Sequence, residues 1–251
     1  MIREAAHLIT ALSIGSSLLQ AKPLQEGIAT FRDAYRAWDT AKFWNASRDL
    51  RKSALAHPKS AAAHAWLGTA HFHRMLQIHS RPITPHLSAA AAGDREAAID
   101  AMEKAVQLDV RQAEAHAILS TLYGMKIEGV MSGIRYGSRV QKHMKLAQQH
   151  GANNPRVQYL LGAGRMRTAE KQDQRFEALK SLLLAEALYE AEAMHHRKAH
   201  EPAWGRDACL AFIGEAFSQL HKPDKARDYY RKSLIERPNN RMAKEGLLRL
   251  K

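Results

Sequence analysis

The sequence predicts an all-α protein made of helical hairpins that repeat in register. Three observations carry that reading. Ala, Leu, Lys, Arg, Glu and Gln dominate beside sparse Val, Ile and aromatic residues, a composition that favours helix throughout. No run of four to eight residues alternates in the manner of a half-buried strand. Small and large residues recur at set offsets with a period near 34 residues.

With 251 residues and 45% hydrophobic content, the chain can bury a substantial core and is not a disordered tail. The formal charge is +13 and the pI near 10.0. Such a surface attracts phosphate, acidic protein or anionic lipid at long range, or is simply well solvated; the excess is scattered, not gathered in a tract. The single cysteine, Cys209, leaves no intrachain disulfide and no cysteine metal cluster, which suits the cytosol and an exported bacterial protein alike. No P-loop glycine pattern, HExxH or GxSxG is present, so nothing supports catalysis and no cofactor is expected.

Met1–Ala21 differs from the rest. Arg3 is offset by Glu4, Leu8–Leu19 is uncharged and mostly apolar, and Leu19-Gln20-Ala21 is a tolerable cleavage site before Lys22-Pro23. The pattern resembles a secretory signal peptide and is too short for a permanent anchor, so a periplasmic or secreted protein starting at Lys22 is expected. No cysteine stands at the junction, so a lipid-modified N-terminus is not expected. The alternative is an amphipathic first helix packed on the remainder of a cytoplasmic protein.

Asp207–Asn240 sets the ruler. Ile213-Gly214 is followed by Phe217, Ala226, Tyr230 and Pro238, which fall at places 7, 8, 11, 20, 24 and 32 of a unit numbered from Asp207. The first unit, residues 27–60, carries Phe31, Tyr35 and Trp38 on its first helix and Ala46, Leu50 and Pro58 at places 20, 24 and 32. The second, 61–112, has Leu67-Gly68, then Ala98, Met102 and Ala105 after about 18 inserted residues that include the helix breaker Arg81-Pro82-Ile83-Thr84-Pro85. The third, 113–154, opens AEAHAILSTLYG, echoing AAAHAWLGTAHF of the second, with His116 matching His64, and closes with Val140, Met144 and Ala147. Its insertion of about eight residues reads as a loop, GVMSGIRYG, from Gly129 to Gly137. The fourth, 155–206, starts at Pro155, holds Leu161-Gly162, Ala178, Leu182 and Ala185, and runs as a long helix towards Pro202. After the fifth, 207–240, residues 241–251 form a helix whose Met242, Leu247, Leu248 and Leu250 cover the last unit.

Each unit is two antiparallel helices that cannot bury their apolar faces alone. Gly or Ala at places 8 and 20 lets the backbones approach, large residues at 7, 11 and 24 fill the space beside them, and proline near 32 ends the second helix. Over Gly27–Asn240 the order resembles the tetratricopeptide repeat family, and with the signal-like start and the MSGIRYG and EPAWG segments it looks like exported bacterial members. The motif's tryptophan place is His64, His116, Gln158 and Leu210 here. The resemblance implies a right-handed α-solenoid of about five hairpins with a C-terminal capping helix, a single domain over residues 22–251. It also implies a monomeric, non-catalytic scaffold that holds a protein or peptide in the groove lined by first helices.

In that groove, places 2, 5, 9 and 12 carry Phe31, Tyr35 and Trp38, then Thr69 and Phe72, Glu114 and Thr121, Arg156, Tyr159 and Met166, and Glu215 and Ser218. This mixed lining suits an extended peptide or a helix, or its aromatics serve only to pack neighbouring units. The Lys and Asn with which chaperone-type members hold a C-terminal carboxylate are replaced by Ala65 and Thr69, Ala117 and Thr121, and Tyr159 and Ala163. Arg135 and Arg139 around Tyr136 make the Gly129–Gly137 loop a candidate for an anion or a partner edge, or a plain connection. His196 and His200 share a helix face at metal-binding spacing, with Glu192 the best third ligand, but a solvated polar face accounts for them and no metal is expected. Trp204 is expected to pack on the helix that Glu201-Pro202 opens. The alternative function is a basic binder of an anionic polymer, a cell-envelope polymer or, less in keeping with the scattered charge, nucleic acid.

Overall fold

The computed structural model describes residues 23–82, 84–195 and 201–250. The signal-like stretch and the pair His196 and His200 lie outside them. The described residues form eleven helices and no strand. Helix α1 covers residues 23–37. It is followed by α2 (Thr40–Ala56), α3 (Ala61–His79), α4 (Pro85–Leu108), α5 (Ala113–Gly124), α6 (Val130–Gly151), α7 (Pro155–Thr168), α8 (Gln172–Ala193), α9 (Arg206–Gln219), α10 (Pro223–Glu236) and α11 (Arg241–Arg249). From α3 to α10 each odd helix packs on the even helix after it, and α3, α5, α7, α9 and α11 also touch in series. The odd helices therefore make one inner layer and the even helices an outer one, which is the α-solenoid that the repeat phase predicts.

Local chemistry sets the boundaries. Asp39, Ser60, Thr84, Asn154 and Asn240 each accept a backbone N–H of the first turn of the helix they precede. Pro85, Pro155 and Pro223 occupy the first turn, where a missing N–H costs nothing. Inside the hairpins, place 8 meets place 24. A Cβ added to Gly68 would stand 2.8 Å from Met102, one on Gly162 2.9 Å from Leu182, and one on Gly214 2.7 Å from Tyr230. In the third hairpin Ser120 fills that place and its hydroxyl donates to the Val140 carbonyl at 3.2 Å.

The motif's tryptophan place has a different task in this chain. His64 Nε2 reaches the Pro58 carbonyl at 3.1 Å, His116 Nε2 the Val110 carbonyl at 3.0 Å, and Gln158 Nε2 the Ala152 carbonyl at 2.7 Å. Each donor lies six residues after its acceptor, so the start of one hairpin ties down the end of the hairpin before it. A carbonyl only accepts, which puts the proton on Nε2 of both histidines. Leu210 cannot donate, and there the carbonyl six residues back, that of Trp204, accepts from the Tyr189 hydroxyl at 3.2 Å.

The insertions lengthen helices. Helices α3 and α4 have 19 and 24 residues, where α9 and α10 have 14 each. One expectation is corrected: Gly129–Gly137 is not a loop, because α6 begins at Val130 and carries Arg135, Tyr136 and Arg139 as helical residues. The Ser132 hydroxyl accepts from the N–H groups of Glu128 and Gly129 at 2.9 and 3.0 Å and closes the first turn. The Tyr136 ring then stacks on Tyr123 at 6.0 Å. Capping and packing together outweigh the roughly 1 kcal/mol that each mid-helix glycine costs.

Candidate functional site

The inner layer does not leave a plain open furrow, because the chain folds back on it. Phe31 packs at ring distances of 5.9 Å on Phe43, 5.4 Å on Trp66 and 5.3 Å on His73, and is buried with them. One turn on, the Tyr35 ring stays in this cluster, 5.2 Å from His73, while its hydroxyl bonds to the far end of the solenoid, donating to Asp207 Oδ1 at 2.5 Å and accepting the Gly205 N–H at 2.9 Å. Burial, and then the Asp207 carboxylate beside it, push the Tyr35 pKa well above the usual tyrosine value, so it acts as a neutral donor. Trp38, at φ 50°, ends α1 and lies under the guanidinium of Arg237 at 3.6 Å, while Arg237 Nη2 pairs with Asp207 at 2.5 Å. Asn240 also donates to Asp207. One buried carboxylate at the start of α9 thus gathers a tyrosine from the first hairpin and an arginine and an asparagine from the end of the fifth.

Gly205 makes this corner possible. Its φ of +100° lies in the left-handed region, and any Cβ would run into the Tyr189 hydroxyl. The turn carries Trp204 back across the inner layer to His73, ring centroids 4.8 Å apart. Trp204 thus packs on α3, well beyond the helix that follows it. Burial depresses the pKa of His73 to about 3, so it is neutral, with Nδ1–H donated to the Thr69 carbonyl at 2.8 Å.

Of the recesses in the described residues, two are lined by Trp204. The larger, about 470 Å³, lies where α7 and α9 begin and α8 and α10 end, and is lined among others by Arg32, Arg36, Arg156, Tyr189, Arg206 and Arg237. The smaller, about 330 Å³, lies where α3 and α5 begin, among Trp66, Thr69, Arg111, Glu114, His150 and Trp204. Arg156 lines the larger and is bonded to Glu114, which lines the smaller. Its Nε donates to Glu114 at 2.9 Å and its two terminal nitrogens to Glu192 at 3.0 and 2.5 Å. Burial opposes its charge, but Glu114 and Glu192 overcome that and hold its pKa above the ordinary arginine value.

Of the expected groove residues, the structure brings Tyr35 and Arg156 to the larger recess and Thr69 and Glu114 to the smaller. Trp38 is half-buried beneath Arg237. Phe31, Phe72, Tyr159 and Met166 are 1%, 2%, 6% and 4% exposed, so they pack units together. Arg135, Tyr136 and Arg139 sit away from both recesses on α6, where Arg139 Nη1 donates to the Tyr123 hydroxyl at 3.1 Å. Gly205, Asp207 and Arg237 carry the arrangement but escape a reading by repeat place. No local pattern marks a contact made across the whole length of the array. Among the described residues no cluster of three metal-binding side chains exists.

No protein-family model matches the chain, and no curated protein does. Solved structures do resemble it. TTC0263, a thermophilic TPR protein of Thermus thermophilus, superposes with a TM-score of 0.61 at 16% identity over 92% of this chain and 96% of that one. PilF of Pseudomonas aeruginosa follows at 0.45, with 20% identity over 73% and 67%, and MamA at 0.42, with 18% over 78% and 89%. The fold is that of a tetratricopeptide-repeat solenoid. No described helix is long and apolar enough to cross a membrane.

Proposed function

We propose that the protein is a non-catalytic scaffold that holds a segment of a partner protein at the rim where the 470 Å³ recess opens. The observation that supports it is the make-up of that recess. Five arginines line it against Glu192, Asp207 and Glu236. Asp207 is taken by Arg237 and Tyr35, Glu236 pairs with Arg206 at 3.3 Å, and Glu192 with Arg156. The net positive lining suits an extended peptide that presents carboxylates. This keeps the scaffold reading and moves its contact surface from the buried aromatics to the arginine rim. The sequence start supports export, with Lys22 as mature N-terminus and the remainder one monomeric domain; terminal mass spectrometry of the native protein checks the former.

The test is site-specific photo-crosslinking in the native host with the probe at Arg36, whose side chain is 83% exposed, and a second probe at Ile235, 82% exposed on α10. The expected result is one discrete adduct from position 36, mapping to an acidic stretch of the partner and lost in Arg32→Glu. Equal adducts from both positions, or none dependent on Arg32, reject the reading. A basic binder of an anionic polymer would instead crosslink from both positions and release steeply with salt.

A further inference from the structure

Helix α6 is unlike the other long helices. Among the described helices it packs on α5 and α7, as α4 and α8 each pack on two neighbours, but its buried residues, His143, Ala147 and Gly151, all lie in its second half, whereas α4 and α8 bury side chains along their length. With 22 residues beside the 12 of α5, it overhangs its hairpin partner by roughly 15 Å. The overhang is apolar and uncovered: Val130 is 81%, Met131 78% and Ile134 72% exposed, and Ile127 just before it 39%. The remainder of the outward face is basic, with Arg135, Arg139, Lys142 and Lys145 exposed and not one Asp or Glu between Val130 and Gly151. At 3.6 residues per turn, Met131, Ile134, Arg135, Lys142 and Lys145 fall within a sector of roughly 100°. The nearby acids are otherwise engaged or off the helix: Glu103 accepts from Tyr123, Glu96 from Lys126, and Glu128 precedes the first turn.

We propose that the outward face of α6 docks the protein on an anionic lipid surface, with the Val130–Ile134 end dipping among the headgroups and the basic side chains meeting their phosphates. An apolar patch of three large side chains at the first turns of a surface helix is a contact surface left bare, and single scattered exposures elsewhere are not comparable. Two features favour a lipid surface over a protein. The apolar side chains are aliphatic and stand on a convex overhang, whereas protein hot spots are aromatic or arginine anchors that fit a pocket. The cations are spread along about 15 Å of helix in one row, which matches a plane of headgroups. Apolar burial and electrostatic attraction are the two terms that hold interfacial helices, and this face supplies both. The proposal is independent of the arginine rim and survives or fails separately from it.

Vesicle co-sedimentation of the full chain tests it, with phosphatidylcholine vesicles compared against the same vesicles containing phosphatidylglycerol. Binding to the anionic vesicles is expected to exceed that to neutral ones by about tenfold and to weaken with salt. Met131→Ser/Ile134→Ser and Arg135→Glu/Lys142→Glu should each reduce it by about tenfold with unchanged thermal melting, because these side chains are exposed. Lys59→Glu/Lys244→Glu, equal in charge but far from α6, should leave it intact. Equal binding to both vesicles, no binding to either, or wild-type binding by either α6 variant overturns the proposal. An equal loss in the Lys59/Lys244 control does so too, since net charge alone would then explain the adsorption.

Discussion

The third and fifth hairpins share one motif and use it differently. In the fifth, both helices have 14 residues, and Gly214 allows the fully buried Tyr230 to lie flat against the facing backbone. Tyr230 also supports Gly246 of the capping helix, so one ring joins three helices. In the third, Ser120 replaces the glycine and the approach is set by hydrogen bonds and histidines: His143 Nδ1 meets His116 Nδ1 at 2.8 Å, and His143 Nε2 stands 3.4 Å from Glu103. Its second helix then continues past the contact into solvent. Close packing at places 8 and 24 rigidifies a repeat, while a polar junction tolerates an extension that can serve another surface.

The largest effect should separate the two rings. Tyr230→Ala empties a close-packed site and should cost about 4 kcal/mol in denaturant unfolding, whereas Tyr136→Ala, from a half-buried ring on α6, should cost about 1 kcal/mol. Equal losses would mean that the hairpins are packed alike. Next, Gly214→Ala drives a methyl against the Tyr230 ring and should cost about 3 kcal/mol by the same measurement.

A smaller loss is expected from acid, to which the polar junction contributes beside the buried His73 on α3. Burial lowers the pKa of His143 from 6.5 to about 4, against the opposite pull of Glu103, and lowers that of its partner His116 in the same direction. Because the folded value lies below the unfolded one, this contribution is complete above pH about 6.5 and is lost as the pH falls towards 4. Between pH 7 and 5, His143 alone should remove roughly 2 kcal/mol, read as a falling unfolding midpoint, and hydrogen exchange should show α5 and α6 opening before α9 and α10. A flat profile, or opening of the fifth hairpin first, contradicts the assignment. The smallest effect has the opposite sign. Gly133 has nothing closer than Ile127 at 3.9 Å and Gly137 nothing within 4 Å, so Gly133→Ala and Gly137→Ala should each stabilise by about 0.7 kcal/mol. A loss at either position would reveal a partner to that face of α6 within the chain.

The helical class and the order of hairpins were legible because close approach of two helices demands small residues at one place and a large one at another, and the demand repeats. Gly68 with Met102, Gly162 with Leu182 and Gly214 with Tyr230 are pairs that spacing alone singles out. The segment Gly129–Gly137 misled because glycine signals a break only when nothing nearby holds the helix, and the Tyr136–Tyr123 stack is a tertiary contact. The groove lining was legible in part. Tyr35 and Arg156, at places 9 and 2, do reach a recess, yet Phe31, Phe72 and Met166, at places 5 and 12 of the same expected set, are buried in the packing between units.

Sequence by itself determined the phase of the array, the caps and prolines that begin its helices, and the excess of positive charge, since each depends on neighbours within a turn or a repeat. Tertiary structure alone decided where the ends meet. The hydrogen bond from Tyr35 to Asp207 joins residues 172 apart, and Trp204 lies on His73 only because Gly205 turns the chain back across the inner layer. Small rotations between successive hairpins add up to that closure, and no single repeat contains their sum.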